Sequence, residues 1–259
     1  MNSGVGEAYD SVAADYDRLL ERDQWMRIVL WRHYSHLFHP GDRVIDMGCG
    51  TGIDTLFLAG RQIHVTALDA SSGMIGQLLK KMQFHANATN IDARVVSADD
   101  FSSLPANAYD GLVSAFAGLN TVSDLGNFAA NAHRLLRPQG KLVLHMLAPP
   151  GIWERLSLIR RGRWREEAAA RRCREKIIVV CGRPLRHLLL PARDTYTQFF
   201  QPYFRLRRLY SLGFLWPYHW DKYIPHSLAA LGGRMEPLIG GYPPFSSWGR
   251  FFVLEMGKN

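Results

Sequence analysis

The sequence predicts an α/β fold in which a mostly parallel sheet carries helices on both faces. Between residues 43 and 147, short apolar runs alternate with stretches of helical periodicity. The connections between them are short, and such an alternation builds a parallel sheet with right-handed crossovers. A glycine-rich turn follows the first apolar run, which is the kind of strand-to-helix junction that binds ligands in these sheets.

The elements of this sheet are predicted in chain order. Residues 1–39 are expected to be helical, because Tyr9 and Tyr16 belong to apolar positions that recur every three or four residues. Pro40 and Gly41 then break the helix. The five strands of the sheet are predicted at Arg43–Met47, Ile63–Leu68, Ala93–Ala98, Tyr109–Phe116 and Lys141–Leu147. The helices between them are predicted at 54–60, 72–85 and 124–136.

The pattern changes after Pro149 and Pro150. The elements predicted there are a basic helix over Trp153–Lys176, a hairpin of Ile177–Val180 with Leu185–Leu190, a strand at Phe204–Leu209, a helix at Ser227–Leu231 and a strand at Arg250–Met256. We therefore expect three parts. They are the N-terminal helices with a ligand-binding core at 1–149, a basic insertion at 150–203, and closing strands at 204–259.

Composition excludes several classes of protein. Of the 259 residues, 47% are apolar and 21% are charged, as in an ordinary globular protein. We expect no secretory leader and no membrane span. The cysteines Cys49, Cys173 and Cys181 form no CxxC pair, which argues against a disulfide framework or a zinc site. No metal is therefore predicted, and a cytoplasmic location is expected.

The net charge of +8 is concentrated in one segment. Residues 155–208 carry 15 Lys and Arg but only 4 Asp and Glu. Three interpretations stay open: a solvated helix face, a peripheral contact with an anionic membrane through residues 153–176, and a wall for a phosphorylated or carboxylated substrate. Nucleic acid is the least favoured partner, because no RNA-binding motif accompanies the charge.

The glycine turn gives the most specific signal of function. Gly48, Gly50 and Gly52 alternate with other residues, whereas the nicotinamide-type turn has the spacing G-x-G-x-x-G. Residue Ile53 stands where that turn has its third glycine. Asp46, two residues before the first glycine, would repel a pyrophosphate and attract an ammonium group. The turn therefore argues against a dinucleotide; together with the acids that follow the next two strands, it suits a cationic nucleoside with an amino acid tail.

Further acids follow the next two strands. Asp69 ends the second strand, where a carboxylate can accept from both hydroxyls of a ribose. Asp99, Asp100 and Phe101 follow the third strand, where an acid can accept from an adenine amino group beside an aromatic ring. The carboxyl ends of parallel strands meet at one edge of the sheet, so these acids are expected to line one site.

The chain resembles the class I S-adenosylmethionine-dependent methyltransferases, in particular their small-molecule branch. The motifs that carry the resemblance are Val44–Gly52, Val65–Asp69, Ser97–Phe101, Tyr109–Val113, Leu135–Leu142 and the tyrosines of the opening helix. The resemblance implies a Rossmann-like, seven-stranded, mostly parallel sheet in which 150–203 caps the substrate. Gln139 departs from the family, which usually has glycine there.

The resemblance also implies roles for individual residues. Asp46 and the turn would border the methionine moiety, Asp69 would hold the ribose, and Phe116 would approach the sulfur. Tyr9 and Tyr16 are either a lid over the cofactor or core packing. The full set of expected cofactor-binding residues is Tyr9, Tyr16, Asp46, Gly48, Cys49, Gly50, Gly52, Asp69, Ala70, Met74, Asp99, Asp100, Phe101 and Phe116.

Three residues are candidates for the chemistry. His145 in the fifth strand is the first candidate for a general base, since histidine titrates near neutral pH. Tyr16 is a weaker candidate. Asn120 would either orient a substrate or cap the following helix. The aromatic-rich stretch Trp216–Trp220 is expected to wall a substrate pocket or to fill a gap beside the sheet.

The predicted function is methyl transfer from S-adenosylmethionine to a small molecule, with S-adenosylhomocysteine as the product. Apolar, amphiphilic and anionic acceptors all fit the sequence. The alternatives are an RNA methyltransferase, favoured only by the basic segment, and a non-catalytic protein that binds S-adenosylmethionine. The sequence does not distinguish O-, N- and C-methylation, and it does not determine the oligomeric state.

Overall fold

The computed structural model describes residues 4–216 and 223–259. Its main sheet has seven strands in the spatial order β3-β2-β1-β4-β5-β9-β8. These strands are β1 (Arg43–Met47), β2 (His64–Asp69), β3 (Ile91–Val95), β4 (Tyr109–Ser114), β5 (Leu136–Leu147), β8 (Phe204–Leu212) and β9 (Phe251–Lys258). The strands β1 to β5 are parallel, whereas β9 runs antiparallel between β5 and β8. The predicted fold class is therefore confirmed.

Helices cover both faces of this sheet. They are α1 (Val5–Asp10), α2 (Tyr16–Leu20), α3 (Gln24–Leu37), α4 (Ile53–Gly60), α5 (Ser72–Met82), α6 (Leu125–Leu135), α7 (Ile152–Arg160), α8 (Trp164–Arg172), α9 (Ala192–Thr195) and α10 (His226–Ile239). On one face, α6 packs its apolar side around Phe128 against the sheet. On the other face, α3, α4 and α5 bury Leu30, Leu58 and Leu78. The alternating side chains of the parallel strands thus supply two cores.

Several predicted boundaries were wrong in ways that matter for the site. Strand β3 begins and ends earlier than the predicted Ala93–Ala98, so residues 96–99 form a loop at the sheet edge. Strand β5 begins at Leu136 rather than Lys141, and Gln139 within it has a φ of 66°. That left-handed φ explains why a glycine would suit this position. The helix predicted at Ser227–Leu231 continues to Ile239.

The N-terminal region, predicted to be helical in two runs, forms three α-helices, α1 to α3. The longest, α3, is fixed to the far side of the sheet by a buried polar contact. The ring of His33 lies 2.8 Å from Glu255 on β9 through Nε2 and 3.0 Å from the Tyr210 hydroxyl on β8 through Nδ1. Because a buried polar group is costly without a partner, this network fixes the position of α3 relative to β8 and β9.

The basic segment is not the single helix predicted at Trp153–Lys176. It breaks into α7 and α8 around Gly162, whose φ is 69°. A two-stranded hairpin follows, with β6 (Glu175–Val180) antiparallel to β7 (Arg183–Leu188), as predicted. The hairpin is a separate sheet. Within the described ranges, no helix is both long and apolar enough to span a bilayer. Residues 217–220 of the aromatic stretch lie outside the described residues.

Candidate active site

A cavity of about 540 Å³ opens at the carboxyl edge of β1 to β4. Its walls come from the sheet edge, from α1 to α3 and from the loop after β4. Of the residues predicted to bind a cofactor, it is lined by Tyr9, Tyr16, Gly48, Cys49, Gly50, Asp69, Ala70, Met74, Asp99 and Phe116. This is where Rossmann-like sheets bind their ligands.

The glycine turn forms the floor of this cavity. Gly48, Gly50 and Gly52 all have left-handed φ values, between 54° and 81°, which side chains other than glycine rarely tolerate. The amides of Gly48 and Cys49 donate to the Leu68 carbonyl on β2, at 2.8 and 3.0 Å. These bonds fix the turn against the next strand. Because Gly48 and Gly50 have no Cβ, a ligand can approach the backbone closely there.

Asp69 sits at the end of β2 with both carboxylate oxygens in use. One accepts from the Gly50 amide at 2.8 Å, and the other accepts from the Ser71 amide at 2.9 Å. Burial raises the pKa of this carboxyl, and the two amide bonds oppose the rise. Each carboxylate oxygen still has a lone pair available, so Asp69 can accept two further hydrogen bonds from a ligand in the cavity.

Helices α1 and α2 cover the turn and are held by two acids. Asp10 accepts from the Ser71 hydroxyl at 2.6 Å and from the Gly73 amide at 2.7 Å, which fixes α1 to the start of α5. Asp17 accepts from the Thr51 hydroxyl and, at 2.5 Å, from the Lys81 ammonium. Helices α1 and α2 are therefore fixed by polar contacts to α5 and to the glycine turn.

The two predicted tyrosines face each other in this cover. The rings of Tyr9 and Tyr16 meet edge to face with centroids 6.0 Å apart. A Cβ on Gly50 would lie 3.5 Å from the Tyr16 ring, so that ring packs directly over the turn. Burial raises the pKa of both hydroxyls. Tyr16 is consequently protonated at neutral pH and can donate a hydrogen bond, but it cannot serve as a base.

An ion pair that the sequence analysis missed lies in the same wall. Arg27 on α3 pairs with Asp54 on α4, which also accepts from the Trp31 indole at 2.7 Å. The guanidinium lies over the Phe116 ring, 4.3 Å from its centroid. The sequence contained a signal of this buried charge, because Arg27 shares an otherwise apolar helix face with Leu30 and Tyr34.

Asp99 marks the opposite end of the cavity. It accepts from the Ser123 hydroxyl at 2.9 Å and remains exposed. Asp100 and Phe101, which were predicted beside it, do not line the cavity. Asp100 folds back on its own turn and accepts from the amide and hydroxyl of Ser102, whereas Phe101 is buried in the core against Phe128. The local turn aims these consecutive residues in different directions, which corrects the prediction for both.

Asp46 and Gly52 also lie outside the cavity lining, contrary to prediction. Asp46 is buried behind the turn, where it accepts from the Thr55 hydroxyl at 2.6 Å. Burial and the nearby Asp54 raise its pKa. Gly52 faces Leu78 so closely that a Cβ would lie 2.3 Å from a Leu78 methyl. Both residues therefore lie behind the turn in this structure and support it from there.

His145 is placed behind the cavity wall and does not line the cavity, which corrects its assignment as a base. The ring is buried between Phe116 and Phe251, and burial lowers its pKa to about 3. Its Nδ1 accepts from the Phe116 amide at 3.1 Å, and its carbonyl accepts from the Ala117 amide at 3.1 Å. Phe116 and Ala117 both have left-handed φ values, 51° and 67°. His145 therefore holds a strained turn of the cavity wall in place.

The side chain of Asn120 connects two segments of the chain through hydrogen bonds. Its amide donates to the carbonyls of Leu147 and Leu188 at 3.0 and 2.6 Å, and its oxygen accepts from the Leu147 amide at 2.9 Å. The side chain is buried and both of its amide hydrogens are used. The prediction that Asn120 orients a substrate is therefore corrected. It joins the end of β5 to the end of the hairpin.

The hairpin reaches the cavity wall at two points. Asn120, which binds β7, belongs to the segment 118–121, and Gly118 and Thr121 of that segment line the cavity. At the other end of the hairpin, Arg183 forms an ion pair with Glu7 of α1, which also lines the cavity. Within the ranges that the structure describes, no group of three or more His, Cys, Asp or Glu residues could hold a metal.

Comparisons with known proteins agree with this geometry. Residues 44–140 match the family described as Methyltransferase domain. The chain is 32% identical over 157 residues to malonyl-acyl-carrier-protein O-methyltransferase of Hahella chejuensis, covering 59% of this chain and 52% of that protein. It is 27% identical over 149 residues to demethylmenaquinone methyltransferase of Symbiobacterium thermophilum, covering 54% and 57%. The match thus spans about half the length of these relatives.

A solved structure extends the likeness to nearly the whole chain. It is 1,6-didemethyltoxoflavin-N1-methyltransferase of Burkholderia thailandensis, determined with 1,6-didemethyltoxoflavin and S-adenosylhomocysteine bound. The TM-score is 0.62 over 99% of this chain and 88% of that chain, at 15% identity. At this level of identity, the likeness establishes the shared fold.

Proposed function

Because residues 44–140 match the family described as Methyltransferase domain and lie in a Rossmann-like sheet with a glycine turn, we propose that this chain is a class I S-adenosylmethionine-dependent methyltransferase that transfers a methyl group to a small-molecule acceptor. The observation that carries the proposal is the cavity in which a glycine floor, a covering tyrosine pair and two strand-end acids face one ligand volume. Relatives that are named as methyltransferases for demethylmenaquinone and for a malonyl group on acyl-carrier protein support a small organic group as the methyl acceptor.

The residues of the cavity fit the chemistry of this cofactor. The available lone pairs of Asp69 suit the two ribose hydroxyls, and Asp99 suits the adenine amino group. Arg27 and Asp54 offer adjacent positive and negative charges, which suit the carboxylate and the ammonium group of the methionine end. Bound S-adenosylmethionine would supply a methyl group on a sulfonium sulfur, which a nucleophile can displace.

The protein's own contribution to the reaction is positioning. Phe116 presents an apolar surface at the expected acceptor side, and the bonds from the Phe116 and Ala117 amides to His145 fix this turn. Holding two reactants in line can remove as much as roughly 7–11 kcal/mol from a barrier. Neither His145 nor Tyr16 can accept a proton at neutral pH. We therefore propose an acceptor whose nucleophilic atom loses its proton readily, or carries none.

Calorimetry of the full chain with S-adenosylmethionine and S-adenosylhomocysteine tests the first step of this proposal. Micromolar binding is expected. Asp69→Ala should weaken it at least about tenfold, because both ribose contacts are lost. Asp100→Ala is the control, since this acid lies in the loop after β3 but folds back on its own turn, so the affinity of this variant for the cofactor should be unchanged.

Transfer of a labelled methyl group to pooled small-molecule extracts tests the second step. Labelled product that disappears with Asp69→Ala supports methyl transfer. Tight cofactor binding without any labelled product would favour a protein that only binds S-adenosylmethionine. An Asp69→Ala variant that folds and binds as tightly as the wild type would overturn the assignment of the ribose site.

A further inference from the structure

The hairpin β6–β7 has two chemically different faces. Residues directly opposite each other in an antiparallel pair point to the same side, so its register divides the side chains into two sets. The inner set includes Leu185 and His187, which are buried against the protein. The outer set includes Ile177, which is 68% exposed, and Val179, which is 63% exposed. Leu188, at the attached end of the same face, packs against the core, whereas Ile177 and Val179 nearer the turn are left exposed.

The attachments of the hairpin fix which face points outward. Asn120 binds the Leu188 carbonyl at one end, and Arg183 pairs with Glu7 near the turn. Both contacts connect the hairpin to the segments that line the cavity. The inner face is therefore held against the body of the protein, and Ile177 and Val179 remain outside.

The segment that precedes the hairpin carries arginines without counter-ions. In residues 4–216 and 223–259, no carboxylate lies within 4.0 Å of the side-chain nitrogens of Arg160, Arg161, Arg165, Arg172 and Arg174. The Trp164 ring, between two arginines on α8, is also largely exposed. Exposed aliphatic side chains, an exposed indole and unpaired cations are thus concentrated within residues 160–186.

We propose that the outer face of the hairpin, together with these cations, docks on a lipid bilayer that contains anionic headgroups. An anionic bilayer offers negative charge at its surface and an apolar phase directly beneath it. Nucleic acid supplies phosphates for the arginines but no apolar phase that would bury Ile177 and Val179. The inference concerns binding to a surface, so it does not depend on methyl transfer.

Flotation of the full chain with unilamellar vesicles tests the docking surface. The chain should float with vesicles of phosphatidylcholine and phosphatidylglycerol, and much less with phosphatidylcholine alone. The double substitution Ile177→Asp and Val179→Asp should lower partitioning at least about tenfold, because it removes the apolar contact and adds repulsive charge. Phe84→Asp is the control, because Phe84 is apolar and even more exposed, at 91%, but follows α5 outside the basic segment.

A second pair of variants tests the electrostatic part. Arg165→Gln with Arg172→Gln should weaken binding to anionic vesicles and reduce its dependence on salt. Arg61→Gln with Lys80→Gln removes the same charge from exposed positions outside the basic segment and should leave binding unchanged. Circular dichroism and thermal melting identify any variant that fails to fold.

Three results would overturn the proposal. The first is a folded wild-type chain that does not float with anionic vesicles. The second is an equal loss of flotation in the Phe84→Asp control. The third is stronger binding to homopolymeric RNA than to vesicles, unchanged by Ile177→Asp with Val179→Asp, which would assign the arginines to nucleic acid. A solvatochromic dye on the exposed Cys181 at the hairpin turn gives an independent reading, with a blue shift expected only on anionic vesicles.

Discussion

The two walls of the cavity are built in different ways. The sheet wall consists of strand ends and the glycine turn, held by backbone hydrogen bonds between neighbouring parallel strands. The cover wall consists of α1 to α3, and side-chain contacts between distant residues join it to α4, α5 and the hairpin. Arg27 and Asp54 are 27 residues apart, and Arg183 and Glu7 are 176 apart. Many backbone hydrogen bonds therefore hold the sheet wall together, whereas a single substitution can remove one of the side-chain contacts of the cover.

Burial ranks the contacts of the cover. The side chains of Arg27 and Asp54 are each only 7% exposed, so each would be left as a buried, uncompensated charge without the other. The side chains of Arg183 and Glu7 are 52% and 65% exposed, and water screens their interaction. This difference predicts effects of decreasing size on stability. The buried pair of Arg27 and Asp54 comes first, the buried His145 second, and the exposed pair of Arg183 and Glu7 last.

The largest effect is expected from Asp54→Ala. It leaves the Arg27 guanidinium buried without its counter-ion, and it removes the acceptor of the Trp31 indole. The free energy of unfolding should fall by about 3–5 kcal/mol, measured by urea denaturation. Asp92→Ala is the control, because it removes a carboxylate from an exposed pair with Arg94 and should cost less than about 1 kcal/mol. Equal losses in the two variants would contradict the ranking by burial.

A smaller effect should appear in the pH dependence of stability through His145. Its pKa is about 3 in the folded protein, against about 6.5 for an unperturbed histidine in the unfolded chain. Below about pH 6.5, the unfolded chain therefore binds a proton that the folded protein does not bind, and stability falls as the pH is lowered. Between pH 7 and pH 5 the loss from this residue should be about 2 kcal/mol.

The variant His145→Gln isolates that contribution. Glutamine can still accept from the Phe116 amide, but it does not titrate. Urea denaturation at pH 7 and pH 5 should show a smaller loss of stability for the variant than for the wild type. If both lose the same free energy, His145 is accessible to protons in the folded protein, and its assignment as a buried, positioning residue is wrong.

The difference between the two walls also explains what could be predicted from the sequence. The glycine turn, Asp69 and Asp99 were located by their position relative to strands, because the path of a strand places its end at the sheet edge. Asp100 and Phe101 were assigned wrongly, since a one-residue change in a turn reverses the direction of a side chain. His145 and Asn120 were also assigned wrongly. A motif indicates where a residue lies in a strand or loop, but it does not indicate whether the side chain points into the cavity.

Contacts of the cover were the least predictable. Arg27 stands on an apolar helix face, which was a usable signal of a buried charge, but its partner Asp54 lies on another helix. The pairing of Glu7 with Arg183 has no sequence signal at all, because it depends on how the hairpin folds back toward α1. The break of the basic segment at Gly162 was detectable from that glycine, yet the charge pattern on either side resembles one continuous helix.

The smallest effect on stability is expected from Arg183→Ala. The exposed pair with Glu7 should contribute less than about 1 kcal/mol, so the midpoint of urea denaturation should hardly move. The pair nevertheless connects the hairpin to α1, and hydrogen exchange should become faster in residues 175–188 while the amides of β1 and β4 keep their protection. High salt should have the same local effect on the wild type, because it screens an exposed pair. Faster exchange throughout the sheet would contradict this, since it would mean that the cover and the sheet wall open as one unit.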